Sequence, residues 1–181
     1  VDADGPARAG KVDRGGKPVV VAAALLPVVL GAVWLGGWWL FALALTGGLM
    51  AFHELSVMAR TLRPLVLAGF AGLIATLLGT QLGGPTWLLG GLMATVALAF
   101  GLFLVSSVRQ TATVSFAITL LGVAWIGGGL GHLVLVRDVP GDGRLLIFTI
   151  LFTVFADDTA AFFVGRALGR HKLAPSISPG K

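Results

Sequence analysis

The 181-residue chain has no cysteine, and only 12% of its residues are charged. Without cysteine there can be no disulfide framework, thiolate metal site or cysteine nucleophile. A soluble domain carries charge on about one quarter of its residues. Half of that leaves too little material to clothe a water-facing surface, so a soluble globule is excluded. The strict apolar–polar alternation of transmembrane strands is missing as well. No small-residue cleavage site leads from the first apolar run into a soluble domain, so that run does not read as a secretory signal. No solenoid-type repeat is evident.

What is present is apolar: 56% hydrophobic residues, a mean hydropathy of +0.95 and 27 glycines. Lipid is the natural solvent for such a chain, and abundant glycine suits close packing of membrane helices. Six apolar segments run at about 19–35, 38–58, 65–83, 86–107, 112–136 and 144–165. Each has roughly the 17–25 residues that cross about 30 Å of hydrocarbon as a helix. Pro64 and Pro85 stand at the starts of the third and fourth segments, where a missing N–H costs little. Trp38, Trp39 and Trp87 fall at segment ends, as interfacial anchors do. Gly127 and Gly131 form a small-xxx-small pair that predicts close helix packing, as do Gly165 and Gly169. The expected fold is an all-α polytopic membrane protein of about six transmembrane helices. Residues 1–18 read as a disordered basic leader, 19–165 as the transmembrane helical domain and 166–181 as a cytoplasmic basic loop.

The net charge of +5 sits in short loops beside apolar runs rather than in a nucleic-acid patch. No nucleic-acid partner is expected; topology control and contact with anionic membrane lipid are. With the N-terminus cytoplasmic and six spans, only Arg137 and Arg144 of the thirteen Lys and Arg residues fall on the far side. The other eleven lie on the cytoplasmic side, which satisfies the positive-inside rule with both chain ends there.

Most acids lie in loops; Glu54, Asp157 and Asp158 do not. A carboxylate at mid-membrane costs about 2.5–3.5 kcal/mol, so the Asp157–Asp158 pair needs a partner or a task. Three readings stand. One is a structural ion pair, for which His53 and His132 are the only basic candidates upstream within the membrane. A second is a proton or ion relay, as in a transporter. The third is a divalent-cation site with hard oxygen ligands suited to Mg2+ and substrate phosphates. Arg166 lies eight residues beyond Asp158, which on a helix is about 12 Å. That distance matches a triphosphate with metal at one end and cations along it. The cations alone would also satisfy the positive-inside rule.

The order of residues is more specific. The run ADDTAAFFVGRALGRHKLAPSISPGK closely resembles the phosphatidate cytidylyltransferase family. Asp158, Thr159, Ala161, Phe162, Gly165, Arg166, Gly169, Arg170, His171, Lys172, Leu173, Pro175, Ser178, Pro179 and Lys181 fit its pattern. Glu54 in AFHELSVM is a weaker echo. The resemblance covers about 25 residues in order and the rest in hydropathy, and it is to the N-terminal portion of that family. Asp157 stands where the family has a neutral residue.

The resemblance implies transfer of a cytidylyl group from CTP to phosphatidic acid, giving CDP-diacylglycerol and pyrophosphate. It implies Asp158 as catalytic metal ligand, Asp157 as a candidate co-ligand, and Mg2+ with a second cation beside it. Arg166, Arg170, Lys172, Ser176, Ser178 and Lys181 would hold substrate phosphates. It also implies a bacterial inner membrane and leaves a homodimer open. Because the family's further signatures lie beyond Lys181, the 181 residues alone are expected not to turn over CTP. The alternatives are a related CTP-dependent polyprenol or dolichol kinase and a non-enzymatic ion- or proton-coupled transporter. A CDP-alcohol phosphatidyltransferase is disfavoured, since its pattern needs four acids in place of the two seen here.

Overall fold

The computed structural model describes residues 17–105 and 112–168, with side chains placed for 24–105 and 113–167. These residues form helices and turns, with no strand among them. Helix α1 (Lys17–Leu35) is followed by α2 (Gly37–Met58), a 3-10 turn at Arg60–Leu62, and α3 (Val66–Val105). After the gap come α4 (Ala112–Gly122), a π-helical segment Val123–Gly128, α5 (Gly129–Arg137) and α6 (Gly143–Leu168). The α4–π–α5 run forms one long rod.

Among the described residues four helices are long and apolar enough to cross a membrane: Gly37–Met58, Val66–Val105, Thr113–Arg137 and Gly143–Ala167, with Ala24–Leu35 a shorter apolar helix. The chain is an all-α integral membrane protein. The third and fourth expected segments are a single element here, but α3 is not straight. Gly84 interrupts it with φ 68° and ψ −150°, a conformation closed to residues with a Cβ. The two arms lie against each other: Gly72 meets Thr95, Gly91 meets the Thr76 backbone and Gly79 meets Trp87. The position sums are nearly constant, as an antiparallel hairpin requires.

The α1–α2 junction is a second sharp turn. Gly36 and Gly37 both have positive φ, at 68° and 51°. Pro27, Val28, Ala32 and Leu35 of α1 line one shallow pocket together with Trp39, Ala42, Leu43 and Thr46 of α2, so the two helices fold back along each other and are also antiparallel. The glycine pair thus makes a full reversal of the chain. Successive reversals gather the turns at Gly36–Gly37, Gly84 and 138–142 at one end of the bundle. Trp34, Trp38, Trp39 and Trp87 sit at that end, all more than half exposed.

Packing is centred on α3. One cluster holds Phe41, Phe52, Leu73, Leu77 and Val123; another holds Val33, Leu40, Ala44, Val134 and Ile147. In lipid there is little hydrophobic drive between helices, so dispersion at close range must hold them. Glycines provide the range. A Cβ on Gly69 would enter the Phe52 ring; at Gly127 it would meet Leu73 at 2.9 Å, and at Gly131 it would meet Leu88 at 2.7 Å. The Gly127–Gly131 expectation is therefore met; Gly165 faces open space, and its partner Gly169 lies outside the described residues.

Buried hydroxyls are satisfied locally. Thr76, Thr80 and Thr95 donate to carbonyls four residues back at 2.7–2.8 Å. Across the opposite end, Ser115 donates to the Leu62 carbonyl at 2.9 Å, and Thr119 accepts from the Leu65 N–H at 2.8 Å. These two bonds tie the turn after α2 to the start of α4.

Helix α1 begins at Lys17, with Pro18 early in its first turn, where proline is preorganised. Helix α6 continues through Leu168. Arg166, Ala167 and Leu168 are good helix formers and the first breaker is Gly169.

Candidate active site

α6 carries the acids. Its start is fixed by the turn 138–142: Gly141 has φ 83°, the Gly143 N–H donates to the Val139 carbonyl at 3.0 Å, and the Leu146 N–H to the Asp142 carbonyl at 2.9 Å. A Cβ at Gly143 would strike the Arg137 carbonyl, so α6 leaves the turn close against the end of α5. Ile147 is 1% exposed, and Phe148 and Leu151 pack partly against the same cluster. Beyond that point the contacts stop. Every residue in 152–167 is exposed.

Asp157 and Asp158 lie in this bare stretch. Successive helix positions differ by about 100°, so the two carboxylates diverge. Neither has an ion-pair or hydrogen-bond partner among the described residues. His132 is engaged elsewhere, its Nδ1 lying 2.7 Å from the Gly128 carbonyl oxygen. His53 and Glu54 are exposed on α2, near the end away from the tryptophans. Thr149 and Thr153 turn their hydroxyls onto carbonyls of their own helix at 2.9 and 2.8 Å. A structural ion pair for the acids is thus not formed within the described residues.

Arg166 is exposed and helical, two turns beyond Asp158, about 12 Å along the axis. Arg170, Lys172, Ser176, Ser178 and Lys181 lie outside the described residues, as does the leader through residue 16. Among the described residues no three metal-ligating side chains cluster. The pair alone therefore offers two hard oxygen donors with open surroundings. That partial set fits Mg2+, which retains several waters and is held by one or two carboxylates together with phosphates.

Two further arginines were placed by sequence only as exceptions to the charge bias. Arg137 donates from Nε to the Val33 carbonyl at 2.8 Å and from a terminal nitrogen to the Trp34 carbonyl at 2.9 Å. It thereby satisfies orphan carbonyls at the end of α1. Arg144 lies over the Trp34 ring, 4.5 Å from its centroid. Partners more than 100 positions apart leave no local sequence signal.

The sequence matches the family model for the Cytidylyltransferase family over residues 17–181. It is 28% identical over 166 residues to a phosphatidate cytidylyltransferase of Staphylococcus haemolyticus, covering 90% of this chain and 61% of that protein. It is 29% identical to the Pseudomonas aeruginosa phosphatidate cytidylyltransferase, covering 90% of this chain and 62% of the relative. For the Brucella suis phosphatidate cytidylyltransferase the identity is 32%, with 90% and 58% covered. The chain spans about three fifths of the length of these relatives. No solved structure matches it. Since the family match runs from the first described helix to the last residue and the acids fall inside it, the chain belongs to the cytidylyltransferase family.

Proposed function

We propose that this chain carries part of the active site of an enzyme that transfers the cytidylyl group of CTP to phosphatidic acid, releasing pyrophosphate. The observation that carries the reading is the Asp157–Asp158 pair, without a partner among the described residues, on an exposed helix stretch within a family match spanning 17–181. A carboxylate left without a protein counter-charge in an apolar segment is costly unless something else neutralises it.

In the proposed reaction an oxygen of the phosphatidate phosphate forms a bond to the α-phosphorus of CTP. The bond from that phosphorus to the β-phosphate bridging oxygen breaks, and the electron pair leaves with pyrophosphate. Such transfers are accelerated mainly by positioning and charge neutralisation. Asp158 is the proposed ligand for Mg2+, with Asp157 a lesser one and a second cation alongside. Bound there, Mg2+ supplies charge neutralisation on the phosphates. Arg166, two helical turns away, holds phosphate oxygens in this proposal, as a guanidinium does bidentately. Arg170, Lys172, Ser176, Ser178 and Lys181 extend the same phosphate-binding role in the proposal. CTP arrives from water and phosphatidic acid from the membrane. That suits a site where α6 nears the end of the bundle remote from the tryptophans. The proposed topology is six crossings with both chain ends cytoplasmic, in a bacterial inner membrane; a homodimer is compatible with it.

Two labels test the chemistry in the protein that carries this chain at its relatives' full length. With phosphatidic acid, CTP labelled at the α-phosphate should put label into lipid, and CTP labelled at the γ-phosphate should not. Lipid labelled from the γ-position with a polyprenol acceptor would assign a lipid kinase instead. No lipid label from either position would remove the enzyme reading.

A further inference from the structure

The tryptophan end of the bundle holds a second cluster of cations. An open pocket of about 560 Å3 there is lined by Trp34, Arg137, Gly143, Arg144, Leu145 and Phe148, among others. Arg144 precedes Asp158 by fourteen helical residues, about 21 Å along α6, so this pocket is separate from the carboxylates.

Both guanidinium groups are held in place before any ligand arrives. Arg137 is fixed by two hydrogen bonds to the end of α1, with its second terminal nitrogen not engaged in either bond. Arg144 is stacked on the Trp34 ring. Stacking uses the face of the guanidinium and leaves its N–H edge for an acceptor. Arg144 has no hydrogen-bond acceptor and no ion-pair partner among the described residues. Asp138 and Asp142 adjoin the pocket in sequence, yet neither lines it nor pairs with an arginine there. Two preorganised cations without a counter-charge call for an anion.

The surroundings say which kind. Trp34, Trp38, Trp39 and Trp87 are exposed at this end, the level of an aromatic belt and therefore of lipid headgroups. Leu145 in the pocket wall is 68% exposed and Phe148 and Val139 line the same pocket, an apolar rim suited to acyl chains. We infer that this pocket binds the phosphodiester headgroup of an anionic phospholipid from the leaflet opposite the proposed active site. Arg144 and Arg137 grip the phosphate, and Leu145 and Phe148 lie along the chains.

The test uses the purified chain in neutral detergent with a photoactivatable phosphatidylglycerol. Crosslinked peptides should map to residues 133–148, and unlabelled phosphatidylglycerol should compete. Phosphatidylcholine should compete about fivefold less well per arginine engaged. Arg144→Gln should lower labelling of that segment about fivefold, while Arg144→Lys keeps most of it. Asp158→Asn should leave that labelling unchanged, which separates the pocket from the proposed active site. Equal competition by phosphatidylcholine, full competition by inorganic phosphate at matched concentration, or crosslinks absent from 133–148 would each overturn the inference. Should Arg144→Gln fail to fold, judged by helical content, the wild-type map and its competition series still decide.

Discussion

Along α6 the first two turns and the last four carry different work. Ile147 is buried among Val33, Leu40, Ala44 and Val134, whereas from Phe152 to Ala167 every side chain is exposed. The helix and its apolar character continue unbroken through both. What changes is what it touches. The packed half is held by dispersion with α1, α2 and α5, and it carries no acid. The bare half carries two acids and a guanidinium, and among the described residues its Thr153 hydroxyl bond and Phe162–Phe163 ring contact stay within the helix itself. A carboxylate cannot sit in a dry packed seam without a partner. Separating the seam from the acids lets one helix do both.

The coarsest way to break this contrast is sidedness, since the two halves should open on opposite faces. Reporter fusions after Gly83 and Val139 should read external, and one after Lys181 cytoplasmic. A cytoplasmic signal at Val139 would remove the assignment. Next in size is the seam. Ile147→Ala should lower stability by about 2–5 kcal/mol, read by thermal unfolding in detergent. A loss below about 1 kcal/mol would mean the packed half contributes little.

The acids come third. In the protein at its relatives' full length, Asp158→Asn should lower kcat at saturating Mg2+ at least about a hundredfold, roughly 2.7 kcal/mol, without lowering the unfolding temperature. Asp157→Asn should cost less than about tenfold. A dead Asp157→Asn beside an active Asp158→Asn would put the motif one residue out of register. The smallest effect sharpens the contrast most. Phe155→Ala in the 181-residue chain removes a side chain as large as any in the seam. It should change stability by no more than about 0.5 kcal/mol, because Phe155 is 52% exposed.

Much of this fold can be read from hydropathy and punctuation. The second expected segment, 38–58, is α2; 112–136 is the α4–π–α5 rod; 144–165 lies inside α6. Pro85 marks the hairpin turn through its neighbour Gly84. The acids, too, are visible at once, because carboxylates in an apolar run are rare. Hydropathy cannot show which turns of an apolar helix meet protein and which meet lipid, since Ile147 and Phe155 look alike to it. Nor can it show Arg137 reaching Val33, a contact made by tertiary folding alone. The π-helical segment Val123–Gly128 leaves no periodicity change that a short glycine-rich stretch would reveal.

The hairpin folded at Gly84 has a consequence for how the protein enters the bilayer. Its arms meet through Gly72 and Thr95, Thr76 and Gly91, Gly79 and Trp87, all contacts between nearby stretches of chain. Each Thr hydroxyl is already satisfied by a carbonyl of its own arm. The hydroxyls on these arms therefore need no later helix to satisfy them, and closing so short a loop is fast. During synthesis the hairpin can leave the insertion machinery as a finished two-helix wedge. The α4–π–α5 rod then docks against a surface that already has its shape, and α6 follows it, its buried contacts among the described residues made by its first turns.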